Sequence, residues 1–435
     1  MKNLIKYINT NVLYKVAHLN SATILTRIIA GVLTSKAIAI FIGVEGMALI
    51  GNLRNFLSAI QSFSILGFYN GAVKAIAKFK DDSINLSKTL STAYYFCFFS
   101  TVLVAFVCYY NAQSINDFLF SSYYDFAYVI KIMALALPFY SLNMMSFAIM
   151  NGFGNFKMLL IINIIGQILG LLVTLVLIYK HHIDGALISA VLAPSLIFLI
   201  TLVGIINRRN LMTYIKIDHI SSDILKSFGP YAAMALVTAV ALPLVSIYIR
   251  NYIKVEVGIN EAGYWESMNR ISSYYLMFIT SIITLYIVPK FSKINTKSAF
   301  KKEILSFYKS VIPIFGLGLV IIYLLKHFVV LLVFSEEFIP VEDLFLWQLL
   351  GDFVKVLSLV ILYQFLAKKM FAHFIVIEVF LVIILYVSSI YLIDIFGVKG
   401  AVIGHFLSYV MHYGIVLLIF GTSLFGIIPE DSTRT

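Results

Sequence analysis

Charge is what this sequence has least of. Of 435 residues only 12% are Asp, Glu, Lys or Arg, while 61% are hydrophobic; soluble globular chains carry about 25% charged residues. The mean hydropathy of +0.96 points the same way and excludes a soluble domain. Cysteine is nearly absent. Cys97 and Cys108 fall in one apolar run, so neither a disulfide nor a metal site is expected and both are read as packing residues. Enzyme signatures are missing as well: there is no Walker A run, no HExxH, no GxSxG and no metal-spaced Cys/His set. The segments between apolar runs are too short for a catalytic domain. The expectation is a non-enzyme without cofactor or metal. The opening MKNLIKYINTNVLYKVAHLN lacks a short apolar core followed by a cleavage site, and is read as an uncleaved lead-in.

What the sequence has in plenty is apolar runs of about 20 residues, the length of a helix that crosses a bilayer. Charged or Gly/Pro/Asn-marked breaks give twelve expected spans: 17–42, 46–69, 90–110, 126–150, 156–179, 184–206, 228–250, 263–288, 310–334, 343–366, 371–393 and 398–424. A net charge of +11 would suggest nucleic acid in a soluble protein. Here the basic residues lie between spans, and no nucleic acid is expected. They gather in alternate loops, around Lys2 and Lys6, Lys74 to Lys88, Arg208 to Lys226, Lys290 to Lys309, and Lys368 with Lys369. The other loops hold Lys180, Lys254 and Lys399 beside acids such as Asp117, Glu336 and Glu342. The positive-inside rule then puts both termini in the cytoplasm. The lysine-rich connection 290–309 reads as a solvated cytoplasmic face, with anionic lipid headgroups as its partner.

The two halves repeat. Setting Phe156 on Phe371 sets Gly185-Ala186 on Gly400-Ala401 without a gap. Setting Gly46 on Gly263 sets Asn52 on Asn269, with Arg54 and Arg270 one position out of register. Each half starts on the same side after an even number of spans, so the repeat is parallel. The expected architecture is an all-α polytopic membrane protein of 12 transmembrane helices in two parallel-repeat six-helix bundles, 1–207 and 228–435, joined by a polar, basic cytoplasmic linker, 208–227. That is a transporter plan, with substrate held between the halves.

Inside or near the edges of spans lie Arg27, Lys36, Arg54, Lys131, Arg250, Arg270 and Lys355, against the acids Glu266, Asp352 and Glu378. Lys36, Lys131 and Arg250 fit snorkelling from helix ends. Arg27, Arg54 and Arg270 lie deeper, where charge is costly unless it faces protein or water. Positive groups lining a cavity attract an anion, and guanidinium suits phosphate through its forked donors. Polar stripes at helical spacing agree: Asn20, Thr23, Arg27, Gly31 and Thr34 in the first span, Glu266, Asn269, Arg270 and Ser273 in the eighth. Glu266 and Arg270, four apart, either neutralise each other locally or serve the cavity; Asp352 and Lys355 pose the same alternative. Glu378 has no basic residue within one turn. It is either a proton-coupling site or a hydrogen-bonded structural acid. His405 and His412 share a face of the last span and are read as packing in preference to a proton relay.

The runs GVEGMALIGNLRN, GFYNGAVKAIAKF, ALVTAVALPLVSIYIR, YLMFITSIITLYIVPKFSK and EDLFLWQLLGDFVKV together resemble the Wzx-type polysaccharide flippases, most closely those for O-antigen or enterobacterial common antigen lipid III. The resemblance implies the MOP superfamily, which includes MATE multidrug extruders, and a V-shaped pair of six-helix bundles. It implies alternating access that carries an undecaprenyl-pyrophosphate-linked oligosaccharide from the cytoplasmic to the periplasmic leaflet of a bacterial inner membrane. Membrane lipids, a polysaccharide polymerase and a chain-length regulator are the further partners it implies. On matching positions Arg27, Lys36, Arg54 and Arg270 would meet the pyrophosphate. Asn52 and Asn269 are grouped with them as cavity residues, and Glu266, Asp352 and Glu378 as candidates for coupling to an ion or proton. The tail GIIPEDSTRT departs from the basic end such proteins carry.

Three rivals are weighed. A multidrug or cation extruder of the same fold would want an acidic cavity, whereas the intramembrane charges here are mostly basic. A non-transporting scaffold for polysaccharide assembly enzymes has no need of inward polar stripes. A major-facilitator sugar transporter should carry a Gly- and Arg-rich motif between spans two and three, where the loop reads KAIAKFKDDSINLSK. The first two stay as alternatives.

Overall fold

Apolar runs of this length must satisfy every backbone N–H and C=O internally, and a helix does so within one segment. The computed structural model describes residues 12–205, 214–294, 296–368 and 370–421, and among them every long element is helical. The lead-in before residue 12, Arg208, Arg209, Lys369 and the tail GIIPEDSTRT lie outside the described residues. Ten of the described helices are long and apolar enough to cross a membrane. One of them, Phe156–Gly204, has 49 residues, or about 74 Å of helix, more than twice the hydrocarbon thickness. It breaks at His182, where φ is 46° and ψ −119°, and so supplies the expected fifth and sixth spans. Val44–Ser64 has 21 residues, enough to cross, but Asn52, Arg54, Asn55 and Gln61 lower its hydropathy. Counting both features brings the number to the expected twelve.

Contacts divide the chain into two compact units: Met1–Ile42 with Leu49–Leu244, and Gly43–Ala48 with Val245–Thr435. In the first unit α1 (Val12–Phe41) packs on α7 (Phe156–Ile205). The helix α6 (Ala127–Gly152) packs on α7, on α4 (Ser83–Tyr110) and on α3 (Tyr69–Phe79). The element between them in the chain is α5 (Ala112–Phe120), and α2 is Val44–Ser64. The long α8 (Ser222–Glu256) is shared: Ile224, Phe228 and Ala232 join the buried cluster of the first unit, with Phe228 and Phe68 ring centroids 5.1 Å apart. The repeat assigns 228–244 to the second bundle; by contacts these residues group with the first unit. Pro243 lies inside α8, one residue before Leu244, where the grouping changes.

The second unit holds α9 (Ile259–Ile282), a π-turn segment Ile283–Ile287, α10 (Val288–Lys293) and α11 (Lys297–Ser310). It continues through α12 (Ile312–Leu324), α13 (Lys326–Val333), α14 (Phe345–Lys368), α15 (Phe371–Phe396) and α16 (Val398–Ile419). The expected span 310–334 is occupied by α12 and α13. The helical stretch leading into it starts earlier, at Lys297, where Thr296 caps α11, its hydroxyl accepting from the Ala299 N–H at 3.3 Å.

The matched glycines of the repeat have a common physical cause. A Cβ on Gly185 would lie 1.9 Å from the Leu177 carbonyl oxygen, and a Cβ on Gly400 would lie 2.0 Å from that of Leu392. In both units, then, a helix turns back so closely that only hydrogen fits. The described part of the linker is fastened to the first unit. Lys216 N–H donates to Ser91 Oγ and Ser221 N–H to Thr92 Oγ1, each at 2.9 Å. Ser91 Oγ also donates to the Tyr214 carbonyl, and Ser87 Oγ meets both that carbonyl and His219 Nδ1. These hydroxyls lie on one flank of α4, a set of anchors placed by helical spacing.

Candidate functional site

Arg27 and Arg54, the deep basic residues of the first unit, have exposed side chains, on α1 and α2. Lys36 is half-buried on α1. Asn52 is buried, and its side-chain amide donates to the Leu119 carbonyl at 2.7 Å. It therefore holds the end of α5 against α2. Its neighbour Arg54 points elsewhere, as residues two apart on a helix must.

In the second unit Arg270 behaves differently. Arg270 and Arg250 are both buried and share one carboxylate: Arg250 Nη2 is 2.5 Å from Glu266 Oε2, and Arg270 Nε is 3.1 Å from Glu266 Oε1. The Arg250 guanidinium also lies 5.3 Å from the Trp265 ring centroid. Two guanidinium groups on one acid form a charge-assisted network. The snorkelling expected of Arg250 is thereby corrected, since only 2% of it is exposed. Its place near a span end said nothing about which face it occupies. Asn269, on the same helix, is half-buried.

Asp352 is fully buried on α14 and is the centre of a second network. Its Oδ2 accepts from Ser272, from the Tyr275 hydroxyl at 2.5 Å and from Gln348 Nε2 at 3.3 Å; its Oδ1 lies 3.0 Å from His405 Nε2. Lys355 does not touch Asp352 but acts on it through its charge; its ammonium sits 5.2 Å from the Tyr409 ring centroid. His405 and His412, expected as packing, are both hydrogen-bonded, the latter to Ser358 Oγ through Nδ1 at 2.7 Å. Sequence reasoning missed Gln348, Ser272, Tyr275 and His405 as one group, for they come from three helices. Glu378 is buried on α15, and the basic group facing it electrostatically is Lys355 of α14, one helix away. Its isolation within its own helix turn does not extend to the fold. Among the described residues no group of three or more His, Cys, Asp and Glu could hold a metal ion. What the second unit offers is a buried acid whose ligands can accept, donate or exchange a proton.

The polysaccharide biosynthesis protein family matches residues 49–343. The chain is a member of that family. It is 27% identical over 401 residues to the lipid III flippase of Escherichia coli (strain K12), covering 92% of this chain and 96% of that protein. The lipid III flippase of Shigella flexneri matches to the same extent. Among solved structures, a multidrug resistance MATE family transporter of the MOP superfamily in its inward-facing conformation superposes with a TM-score of 0.77 at 13% identity, over 95% of this chain and 96% of that one. The MATE multidrug transporter DinF-BH gives 0.71 at 14% identity over 96% of both chains. At such identities the likeness speaks for the fold alone: a MATE-like, all-helical fold with many membrane-length helices.

Proposed function

We propose that the chain is a flippase that carries a pyrophosphate-linked polyprenyl oligosaccharide from one leaflet to the other. The observation that carries this reading is the exposure of Arg27 and Arg54 within helices long enough to cross a membrane. An arginine facing lipid at mid-span costs about 2.5–3.5 kcal/mol on insertion scales. Facing a water-filled path, the same group costs far less and offers a planar fork to phosphate oxygens. Near-complete coverage of the lipid III flippases supports the lipid-linked oligosaccharide as cargo.

In this reading the two bundles, 1–207 and 228–435, rock about the linker while the polyprenyl tail stays in lipid. Arg27, Lys36 and Arg54 of the first unit hold the pyrophosphate moderately, since tight binding would block release. Asp352 with His405 takes the coupling ion or proton, and Lys355, one turn along α14, couples electrostatically to Glu378 of α15. The membrane is a bacterial inner membrane, both termini face the cytoplasm, and a polymerase and chain-length regulator receive the product. Proteoliposomes carrying a fluorescent pyrophosphate-linked oligosaccharide test this. Its movement, without extrusion of a lipophilic cationic dye, supports the flippase. Dye extrusion without movement of the lipid overturns it in favour of a multidrug extruder.

A further inference from the structure

The apolar helix Lys297–Leu324 has 28 residues, about 42 Å at 1.5 Å per residue, against a hydrocarbon core of about 30 Å. About 20 residues suffice to cross that core. Counted back from Leu324 they reach Leu305, so the first two turns, α11 up to that point, stand at headgroup level. On that segment Phe300, Glu303, Ile304 and Phe307 are buried, while Lys301, Lys302, Leu305 and Lys309 are exposed. At about 100° per residue the exposed four fall within an arc of about 100°. Lys301 and Lys309 are then about 12 Å apart along the axis, a little more than the width of one phospholipid headgroup.

Charge on this arc is uncompensated. The one acid of α11, Glu303, is turned inward and held by Lys290 at 2.6 Å. That carboxylate, with the Tyr286 hydroxyl at 2.7 Å, raises the proton affinity of Lys290 and keeps it charged. Among the described residues no carboxylate pairs with Lys301, Lys302 or Lys309, nor with exposed Lys293 on α10. The Lys297 ammonium nitrogen, at the start of the same helix, is enclosed and has no hydrogen-bond partner. Leu305 sits between the lysines with 43% of its surface exposed. Three ammonium groups around one protruding aliphatic chain match a leaflet edge, with charge at the phosphates and leucine among the upper acyl carbons. Lys309, one turn deeper, reaches the same level by extending its stem.

We propose that the Lys301–Lys302–Lys309 face of α11 is a docking surface for anionic phospholipid, which anchors the α10–α11 connection to one leaflet. A lysine near an anionic leaflet is worth about fivefold in local binding, and the attraction is screened by salt.

The test uses the full-length protein in nanodiscs of equal parts phosphatidylglycerol and phosphatidylcholine, with retained lipids counted by native mass spectrometry. The wild type should retain phosphatidylglycerol in severalfold preference over phosphatidylcholine, and the preference should shrink when the salt is raised. K301Q/K302Q/K309Q should lose most of it, while K301R/K302R/K309R keeps it with an unchanged melting temperature. Equal retention of the two lipids by the wild type overturns the proposal, as does full phosphatidylglycerol retention by the glutamine variant. Loss in the arginine variant as well would overturn it too, because charge would then not be the cause.

Discussion

Asp352 Oδ1 and His405 Nε2 meet at 3.0 Å although 53 residues separate them in the chain. The aspartate is wholly enclosed, with Ser272, Tyr275 and Gln348 on its other oxygen. A carboxylate so placed is tolerable only because both of its oxygens are hydrogen-bonded. His405→Ala removes one of four partners, so it should cost about 1.5–3 kcal/mol of stability, read as a lower melting temperature in detergent. Asp352→Asn should leave the protein folded and flatten the dependence of transport on an imposed proton or sodium gradient. An unchanged gradient dependence would mean that this acid is purely structural.

The close helix turns make a sharp steric prediction. Gly185→Ala and Gly400→Ala would each drive a methyl to within about 2 Å of a backbone carbonyl oxygen, that of Leu177 or Leu392. Backbone cannot yield as a side-chain tip does, and overpacking costs about 1–3 kcal/mol or more. Gly318→Ala meets nothing within 4 Å and should be neutral or stabilise by about 0.5–1 kcal/mol, as alanine does in a helix. Melting temperatures of the three variants, measured side by side, decide it.

The fastening of the linker to α4 can be read by hydrogen exchange. Replacing Ser91 and Thr92 by alanine removes the acceptors of the Lys216 and Ser221 amides. At about 0.5–1.5 kcal/mol per bond, those two amides should exchange roughly two- to tenfold faster, while core amides of α6 keep their protection. No change at these amides would show that the segment is held by other means.

Asp82, outside the membrane-spanning helices, caps α4 by accepting from the Asn85 N–H at 3.1 Å. These hydrogen bonds hold its carboxyl below the usual carboxylate range. A depressed value means that the ionised cap stabilises the fold above that range, and that the contribution fades as pH falls through it. Asp82→Ala should therefore lower the melting temperature at neutral pH and make no difference in strong acid. A constant difference across pH would contradict the capping role.

The all-helical plan, most of the spans and the paired glycines were legible in the sequence because each rests on local pattern: run length, break residues and a register repeated in both halves. Arg27 and Arg54 could likewise be singled out as charges deep in apolar runs. The pairing of Asp352 with His405 was not legible, since contacts between helices leave no trace in the periodicity of either one. Lys355, three residues from Asp352, does feel its charge as the spacing suggested, but its ammonium is carried toward Tyr409, which the sequence did not show. Arg250 misled for a related reason. Nearness to a span end is visible in sequence, but the direction in which a side chain leaves its helix is set by the neighbours, here Trp265 and Glu266.

The central claim is that exposed guanidinium groups within membrane-length helices receive a pyrophosphate. The most direct measurement is the initial rate of flipping of a pyrophosphate-linked oligosaccharide in proteoliposomes for the wild type, Arg27→Gln, Arg54→Gln and the double variant, with folding checked by melting temperature. The account predicts at least about a tenfold loss for the folded double variant, as expected when a charge-assisted contact worth about 1.5–3 kcal/mol is removed. A folded double variant that flips the substrate at the wild-type rate would contradict it.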